Sequence, residues 1–223
     1  MTADIASQAR SIAIIAIPVI VAITFHEAAH GYVARHFGDN TAERAGRITL
    51  NPLRHIDPVG TIILPVMLYL LNPGFMFGYA KPVPVNFGAL RNPKQDMVWV
   101  AAAGPGMNIL LATISAILLW ISIHAGLNAF VDQLLFASIQ VNLILAIFNM
   151  IPIPPLDGGR VAVGLLPMPL ARYWAQLGRF GLLPLLVILI VLPYFGIDIF
   201  DKLVAPPLEF IERWILGLMG LQG

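Results

Sequence analysis

The chain has 223 residues, of which 58% are apolar and only 11% are charged, and its formal net charge is +1. Because soluble domains usually carry about a quarter charged residues, this composition argues against a water-soluble globular domain and predicts a protein surrounded by lipid. The sequence has no cysteine, which excludes disulfides and cysteine-ligated metal sites, and no basic stripe that would indicate nucleic-acid binding. A metal ion in this chain must therefore be held by His, Asp or Glu.

The predicted elements are apolar helices separated by shorter polar stretches. A first helix is expected at about residues 11–36, and a second apolar segment at 58–71 would be only about 21 Å long as a helix, short of the roughly 30 Å hydrocarbon core. A proline-rich stretch at 78–85 follows and is expected to be extended. The remaining apolar segments are predicted at about 98–123, 133–150, 180–195 and 207–221. We therefore predict an all-α polytopic membrane protein with four to six membrane helices and a re-entrant or extended membrane-associated segment near residues 58–97.

The first apolar run contains an H-E-x-x-H motif made by His26, Glu27 and His30. On a helix the two histidines point about 40° apart on one face, so both imidazoles can hold a single Zn²⁺ ion. Glu27 stands beside them as the candidate general base of a hydrolase. Catalytic zinc sites use three protein ligands and keep the fourth position for water, so a third ligand must come from elsewhere in the chain.

The nearest further histidine, His36, is a poor candidate for this third ligand. It has the histidine spacing of the soluble metzincin proteases, but the glycine that turns the chain in that pattern is replaced by Val33. If the helix continues, His36 points about 240° around the helix from His30 and away from the metal. The isolated His55 and His124 are interpreted as structural or solvated residues.

Asp157 is the better candidate. It lies between Pro-Pro-Leu and Gly-Gly in an otherwise apolar region, and ionisable groups at membrane depth are costly and usually functional. Gly158 and Gly159 are expected to permit a backbone bend that aims the carboxylate at a facing helix. The alternative is that Asp157 is an ordinary N-cap of a helix that begins at Gly158.

The order of the predicted helices places Asp157 on the side of the membrane on which the zinc-binding helix ends, provided that the stretch 37–97 begins and ends on one side. The helices at about 98–123 and 133–150 then return the chain to the side on which the zinc-binding helix ends. Most basic residues fall on that side, and the positive-inside rule makes it cytoplasmic. These residues are Arg35, Arg44, Arg47, Arg54, Lys81, Arg91, Lys94, Arg160, Arg172 and Arg179.

Together these motifs resemble the site-2 protease family of intramembrane zinc metalloproteases. The resemblance rests on the H-E-x-x-H motif, on the Ala-Gly-Pro-Gly-Met-Asn stretch at residues 103–108, and on residues 149–159, and it covers residues 11 to about 165. It points to the compact bacterial and archaeal members that have no PDZ or CBS domain. Within the second stretch, Gly104 and Gly106 are interpreted as positions of close helix packing.

The resemblance implies that the two histidines of the motif and Asp157 ligate one zinc ion per chain, and that Glu27 is the catalytic acid and base. Asn149 would face the active site and help to hold the scissile carbonyl or its oxyanion, and Asn108 would lie near the substrate cleft. Interhelical hydrogen bonding is the alternative role for both asparagines.

The predicted function is that of an intramembrane zinc endopeptidase, which hydrolyses a peptide bond within or next to a transmembrane helix of its substrate in regulated proteolysis. The expected domain is a single membrane-embedded unit, residues 1–223, with a catalytic core at about 11–165 and C-terminal helices at about 179–221. The expected partners are a transmembrane protein substrate and the bilayer of a prokaryotic cell membrane, with the active site toward the cytoplasm. A non-enzymatic zinc-binding membrane protein or transporter is the alternative, although transporters usually show repeats and charges in several helices.

Overall fold

The computed structural model describes residues 2–71, 78–196, 199–218 and 220 of the chain. Within these ranges the structure consists of helices and connecting loops and contains no β-strand. The α-helices are α1 (Thr2–His36), α2 (Thr41–Arg44), α3 (Leu64–Leu71), α4 (Pro93–His124), α5 (Ala129–Asn149), α6 (Asp157–Leu165), α7 (Met168–Leu177), α8 (Leu183–Leu186), α9 (Leu192–Tyr194), α10 (Ile199–Leu203) and α11 (Ala205–Leu218). The π-helical stretches are Pro58–Ile63 and Val187–Val191, and the 3-10 turns are Pro52–Arg54, Phe87–Ala89 and Gly178–Phe180.

Three of the described helices are long and apolar enough to cross a membrane. They are α1, α4 and α5, with 35, 32 and 21 residues. At 1.5 Å per residue even the shortest of them spans about 31 Å, which matches the thickness of the hydrocarbon core. The three helices pack on one another, and α6 packs against α4. The all-α membrane fold is thus confirmed, while the total of four to six membrane helices stays a prediction.

The side chains of α4 are distributed as expected for a helix in lipid. Its buried face carries Asn108, Ser115 and Ser122, whereas Ile114 is 42% exposed. In a water-soluble protein the apolar side chains would be inside and the polar ones outside. The buried polar groups bond to neighbouring helices instead, and the hydroxyls of Ser115 and Ser138 lie 2.8 Å apart between α4 and α5. Such bonds satisfy groups that lipid cannot solvate.

The long helices begin earlier in the chain than predicted. α4 starts at Pro93, because proline lacks the backbone N–H that would be unsatisfied at the first helical position anyway. α5 starts at Ala129, directly after Asn128, whose side chain accepts a backbone N–H of the first turn. Both starts have a recognisable local signal, and the predicted boundaries differ because they were drawn from the apolar runs.

Residues 58–92 contain no long membrane helix among those that the structure describes, and residues 93–97 of the predicted segment are the start of α4. The π-helical stretch Pro58–Ile63 and α3 together have 14 residues, 6 and 8 in turn, which corresponds to about 21 Å of helix. Residues 72–77 of this segment lie outside the described part of the chain. Residues 78–86 are not helical, in agreement with the extended stretch that the prolines predict. The re-entrant path of the segment through the membrane stays a prediction.

We call residues 79–86 the strap, because they lie against α1 and are tied at both ends. The backbone N–H of Tyr79 donates to a carbonyl of the preceding helical segment (3.0 Å), and that of Asn86 donates to Oδ2 of Asp39 (2.6 Å). Asp39 is fully buried just after α1, and its Oδ1 accepts the backbone N–H of Thr41 (2.9 Å). Burial raises the pKa of Asp39, but the hydrogen bonds from Thr41 and Asn86 outweigh burial and hold the pKa below its usual value.

The C-terminal part is helical but irregular. The predicted run at 180–195 is divided into α8, a π-helical stretch and α9, which cover residues 183–194 and amount to about 18 Å of helix. α11 packs against α5, and its Ile215 joins a buried cluster that includes Ala112 and Leu143. The predicted C-terminal helices, about 179–221, also include residues 197–198, 219 and 221, which lie outside the described part of the chain.

Candidate metal centre

Two helices that are far apart in the sequence bring three ligand atoms together. Nε2 of His26 lies 3.1 Å from Nε2 of His30, and Oδ2 of Asp157 lies 3.1 Å and 3.3 Å from these two atoms. All three side chains are buried. Zinc ligands lie about 2.0–2.2 Å from the metal in a tetrahedral site, so neighbouring ligand atoms are about 3.3 Å apart. The three atoms therefore fit one face of a zinc tetrahedron, and these residues form the group that could hold a metal in the described part of the chain.

Asp157 is the first residue of α6, and close packing of the backbone places it there. A side chain at Gly158 would overlap the backbone carbonyl of Met150, and one at Gly159 would overlap the backbone of the same loop. Both glycines lie in the first turn of α6 and neither has a positive φ, so they serve close approach of the backbone and not the expected bend. The N-cap alternative is also wrong, because Leu156 occupies the cap position and the carboxylate faces the histidines.

Gly104 of α4 leaves the space into which both histidines point. A Cβ atom at this position would overlap Nε2 of His26 and Nε2 of His30, and it would lie 2.6 Å from Cε1 of His26. The missing side chain therefore opens a space directly at the ring atoms that would bind the metal. Gly106, by contrast, has nothing within 4 Å of an added Cβ. Of the two predicted packing glycines, Gly104 is thus the one that the site requires.

The other nitrogen of each histidine ring is held from behind by α4. Nδ1 of His26 donates to Oδ1 of Asn108 (2.6 Å), and Nδ1 of His30 donates to the backbone carbonyl of Val100 (2.7 Å). Both acceptors are oxygens, so the proton of each neutral ring stays on Nδ1 and the lone pair of Nε2 faces the centre. Hydrogen bonds of this kind orient histidine ligands in zinc sites.

Asn108 lies behind His26 and not in an open cleft. Its side chain is fully buried, and its Nδ2 hydrogens are donated to the carbonyl of Ala22 (3.3 Å) and to Oδ1 of Asn142 (2.9 Å). No N–H of the amide remains for a substrate oxygen. The structure therefore shows Asn108 in the alternative role, interhelical hydrogen bonding, and its position relative to the substrate cleft stays a prediction.

The carboxylate of Glu27 is held by the strap. Its Oε2 accepts the backbone N–H of Val83 (2.7 Å), and Val83 stands between two prolines that have no N–H to offer. Val83 comes this close because Gly31 has no side chain; a Cβ there would lie only 3.2 Å from Cγ1 of Val83. The strap thus fixes the candidate general base relative to α1.

The electrostatic surroundings favour an ionised ligand at Asp157. The second oxygen, Oδ1, lies 3.6 Å from the guanidinium of Arg160. A carboxylate that is charged at neutral pH is the form that binds a divalent cation.

The other histidines and Asn149 lie outside this group. Asn149, in the last turn of α5, donates from Nδ2 to the carbonyl of Leu145 (2.9 Å), and its contact with substrate stays a prediction. His36 is exposed, and His55 and His124 are hydrogen-bonded to backbone carbonyls. None of the three belongs to the metal-binding group, in agreement with their interpretation from the sequence.

Sequence reasoning missed the groups that support the histidines and Glu27. The carbonyl of Val100 and the N–H of Val83 are backbone groups, which leave no signal in a residue pattern. Asn142 could have been noticed, because an asparagine in an apolar helix needs a partner. Gly104 was noticed only as a packing residue, although its position in the apolar helix was visible.

Comparisons with known proteins agree with this site. The model of peptidase family M50 matches residues 121–191, a range that includes Asp157 but not the H-E-x-x-H motif. YwhC of Bacillus subtilis (strain 168) is 41% identical over 181 residues, which cover 78% of each chain. Rip2 of Mycolicibacterium smegmatis is 30% identical over 174 residues, covering 77% of this chain and 64% of its own length. Both proteins carry the name "Putative zinc metalloprotease".

No solved structure gives a significant match to this chain. The identity and coverage of the relatives nevertheless establish the family, and the relatives' names and the residues of the metal centre agree on the metal. The chain therefore belongs to peptidase family M50, the site-2 protease family of zinc metalloproteases.

Proposed function

We propose that this zinc metalloprotease cleaves its substrate inside the membrane, at a peptide bond within or next to a transmembrane helix. The observation that carries the proposal is the position of the metal centre. The triangle formed by His26, His30 and Asp157 lies between α1 and α6 and is lined by α4. α1 and α4 are both apolar and long enough to span a bilayer. A substrate that reaches such a centre is itself expected to be surrounded by lipid, which favours a transmembrane protein.

The residues of the site divide the chemistry between them. His26, His30 and Asp157 would hold one Zn²⁺ ion per chain, which when bound supplies Lewis-acid activation of water and of the substrate carbonyl. Glu27 takes the proton from the attacking water and returns it to the leaving amine, as general base and then general acid. Its Oε2 is engaged by the strap, so Oε1 is the oxygen available for proton transfer. Asn149 would hold the scissile carbonyl or its oxyanion.

The substrate adds a requirement of its own. The backbone groups of a transmembrane helix are bonded to one another, so the helix must unwind locally before a peptide carbonyl can be attacked. A role in regulated proteolysis of membrane proteins fits such an activity. We further propose that the centre opens toward the cytoplasm of a prokaryotic cell. In the predicted topology most basic residues lie on the side of the membrane on which the zinc-binding helix ends, and the positive-inside rule makes this side cytoplasmic. Accessibility of tags in the loops around residues 40–57 and 166–168 tests this, and opposite locations for the two loops would contradict it.

The decisive experiment separates metal binding from catalysis. Glu27→Gln is expected to retain zinc and lose cleavage, whereas His26→Ala and Asp157→Ala are expected to lose both. His36→Ala is the matched control, since this histidine lies on the same helix outside the metal group and should retain zinc and activity. Zinc is measured per purified chain, and cleavage is measured by comparing membrane peptides from cells that carry each variant.

Two outcomes would contradict the proposal. Full cleavage by Glu27→Gln would exclude Glu27 as the acid and base. Retention of zinc by both His26→Ala and Asp157→Ala would exclude the metal centre. The alternative of a non-enzymatic zinc-binding protein or transporter is not retained, because the chain belongs to a family of zinc metalloproteases.

A further inference from the structure

A chain of buried side-chain amides leads away from the metal centre into the interface of α4 and α5. It starts at Nδ1 of His26, which donates to Oδ1 of Asn108 (2.6 Å). Nδ2 of Asn108 donates to Oδ1 of Asn142 (2.9 Å), and Nδ2 of Asn142 donates to the backbone carbonyl of Ser138 (2.8 Å). Three helices, α1, α4 and α5, are thus joined by one line of hydrogen bonds that ends at a fixed backbone group.

Every bond in this chain points in the same direction. The chain ends at a carbonyl, which can only accept, so Asn142 must present its Nδ2 to Ser138 and its Oδ1 to Asn108. Asn108 must then donate to Asn142 and present its own Oδ1 to His26. The carbonyl of Ala22 accepts the second hydrogen of the Asn108 amide (3.3 Å) and enforces the same orientation. A rotated Asn108 amide would place its oxygen against two other oxygens.

Burial makes this orientation persistent. Asn108 is 0% exposed and Asn142 is 1% exposed, so water cannot replace a lost partner at either amide. An oxygen therefore always faces Nδ1 of His26, so Nδ1 carries the proton and, in the neutral ring, Nε2 is unprotonated. This is the tautomer that a metal ligand bonded through Nε2 requires.

The two histidines of the site depend on different kinds of support. Nδ1 of His30 donates to the backbone carbonyl of Val100, which no side-chain substitution removes. Nδ1 of His26 depends on a side chain, and that side chain depends on Asn142 of another helix. The orientation of His26 is therefore the one that substitution can perturb.

We propose that Asn108 and Asn142 are positioning residues that hold His26 in its metal-binding tautomer and orientation. Neither is within reach of substrate through a free N–H, and both act through His26. The inference rests on the metal-ligand role proposed above for His26. It adds that zinc affinity is set partly by an amide of α5 that touches neither the metal nor a ligand.

The test measures zinc affinity of the full-length protein by competition with a chelator, together with the visible absorption of the cobalt-substituted protein. Asn108→Leu has a similar size but no acceptor, and is expected to weaken zinc binding about 10- to 100-fold and to change the cobalt spectrum. Asn142→Leu should have the same effects to a smaller extent. Ser122→Ala is the matched control, because it removes a buried polar group from the same interface of α4 and α5, and its partner Asp132 is not part of the amide chain.

Several results would overturn the inference. One is wild-type zinc affinity and an unchanged cobalt spectrum in Asn108→Leu. Another is a loss in Ser122→Ala as large as in Asn108→Leu, which would indicate general damage to packing. If Asn108→Leu does not fold, as judged by its helical circular dichroism, Asn142→Leu decides by the same criteria. His26→Ala identifies a failure of the underlying function, because retention of zinc by that variant contradicts the ligand role itself.

Discussion

The substitution Gly104→Ala tests the metal centre with the smallest possible change. An alanine Cβ at this position would lie 2.6 Å from Cε1 of His26 and would overlap Nε2 of both His26 and His30. An ordinary van der Waals contact at such an atom begins at 3.4 Å, so the rings or α4 must move by at least 0.8 Å, the difference between the two distances. Functional zinc sites keep their ligand distances within about 0.2 Å, so the required movement exceeds what zinc binding tolerates.

Gly104→Ala has two opposing effects, a gain in helix stability and a loss of zinc affinity, and we expect the loss of zinc affinity to be the larger of the two. Replacing glycine by alanine inside a helix stabilises it by about 1 kcal/mol. Overpacking of a filled interior costs about 1–3 kcal/mol, and the added methyl also occupies the space at which both Nε2 atoms point. We expect Gly104→Ala to lose at least about 100-fold in zinc affinity, the upper end of the effect of outer-shell substitutions, because the obstruction is at the ligands themselves. Proteolytic activity should be lost with the zinc.

The assay compares Gly104→Ala with Gly106→Ala, which makes the same exchange two residues later on α4. An added Cβ at Gly106 has nothing within 4 Å, so this variant should retain zinc and be as stable as the wild type or more so. Zinc equivalents per chain are measured after dialysis against a graded series of chelator concentrations, and thermal unfolding is measured in the same detergent. Wild-type zinc affinity in Gly104→Ala would refute the assignment of this space to the metal.

Three further predictions concern the groups around the centre. Val83→Pro removes the N–H that holds Glu27. Because a hydrogen bond to a charged group contributes about 1.5–3 kcal/mol, cleavage should fall about tenfold or more while the zinc content stays unchanged. Unchanged cleavage would contradict the role of the strap. The folded-state pKa of Asp39 lies below its unfolded value of about 3.9, so its contribution to stability is complete above that pH and is lost as the pH falls through the folded-state pKa. Thermal unfolding between about pH 2 and 6 should therefore show a smaller loss of stability in Asp39→Asn than in the wild type, and equal losses would contradict the role of Asp39. Gly158→Ala should displace Asp157 and lower zinc affinity, and equal zinc content in this variant and the wild type would show that α6 can relax.

The metal-binding face of the H-E-x-x-H motif and the lipid environment of the protein could be predicted, because both depend on local sequence or on composition. Helical periodicity alone places His26 and His30 on one face, and composition alone indicates lipid. Asp157 could be predicted as their companion, although it is distant in the sequence, because a chain with so few charged residues offers few other candidates for a third ligand. The structure brings these three residues together, as the sequence analysis expected.

Some residues were singled out correctly from the sequence, but the structure gives them a different or additional role. Gly158 and Gly159 were expected to bend the chain, but they allow α6 to approach the loop that precedes it. Asn108 was expected near substrate through resemblance alone, and the structure adds that its amide is hydrogen-bonded to three neighbours. In both cases the residue type was informative, while its partner could be identified only from the packed structure.

What the sequence determined by itself is therefore the set of chemically capable side chains and the helices that carry them. These follow from local periodicity, from residue chemistry and from the cost of placing a charge in lipid. Only the tertiary structure decided which groups surround those side chains: the empty space at Gly104, the carbonyl behind His30 and the N–H that holds Glu27. The physical reason is that nearly every residue has the same backbone groups and every glycine lacks a Cβ atom. Which of these groups matter therefore appears only when the helices are packed against each other.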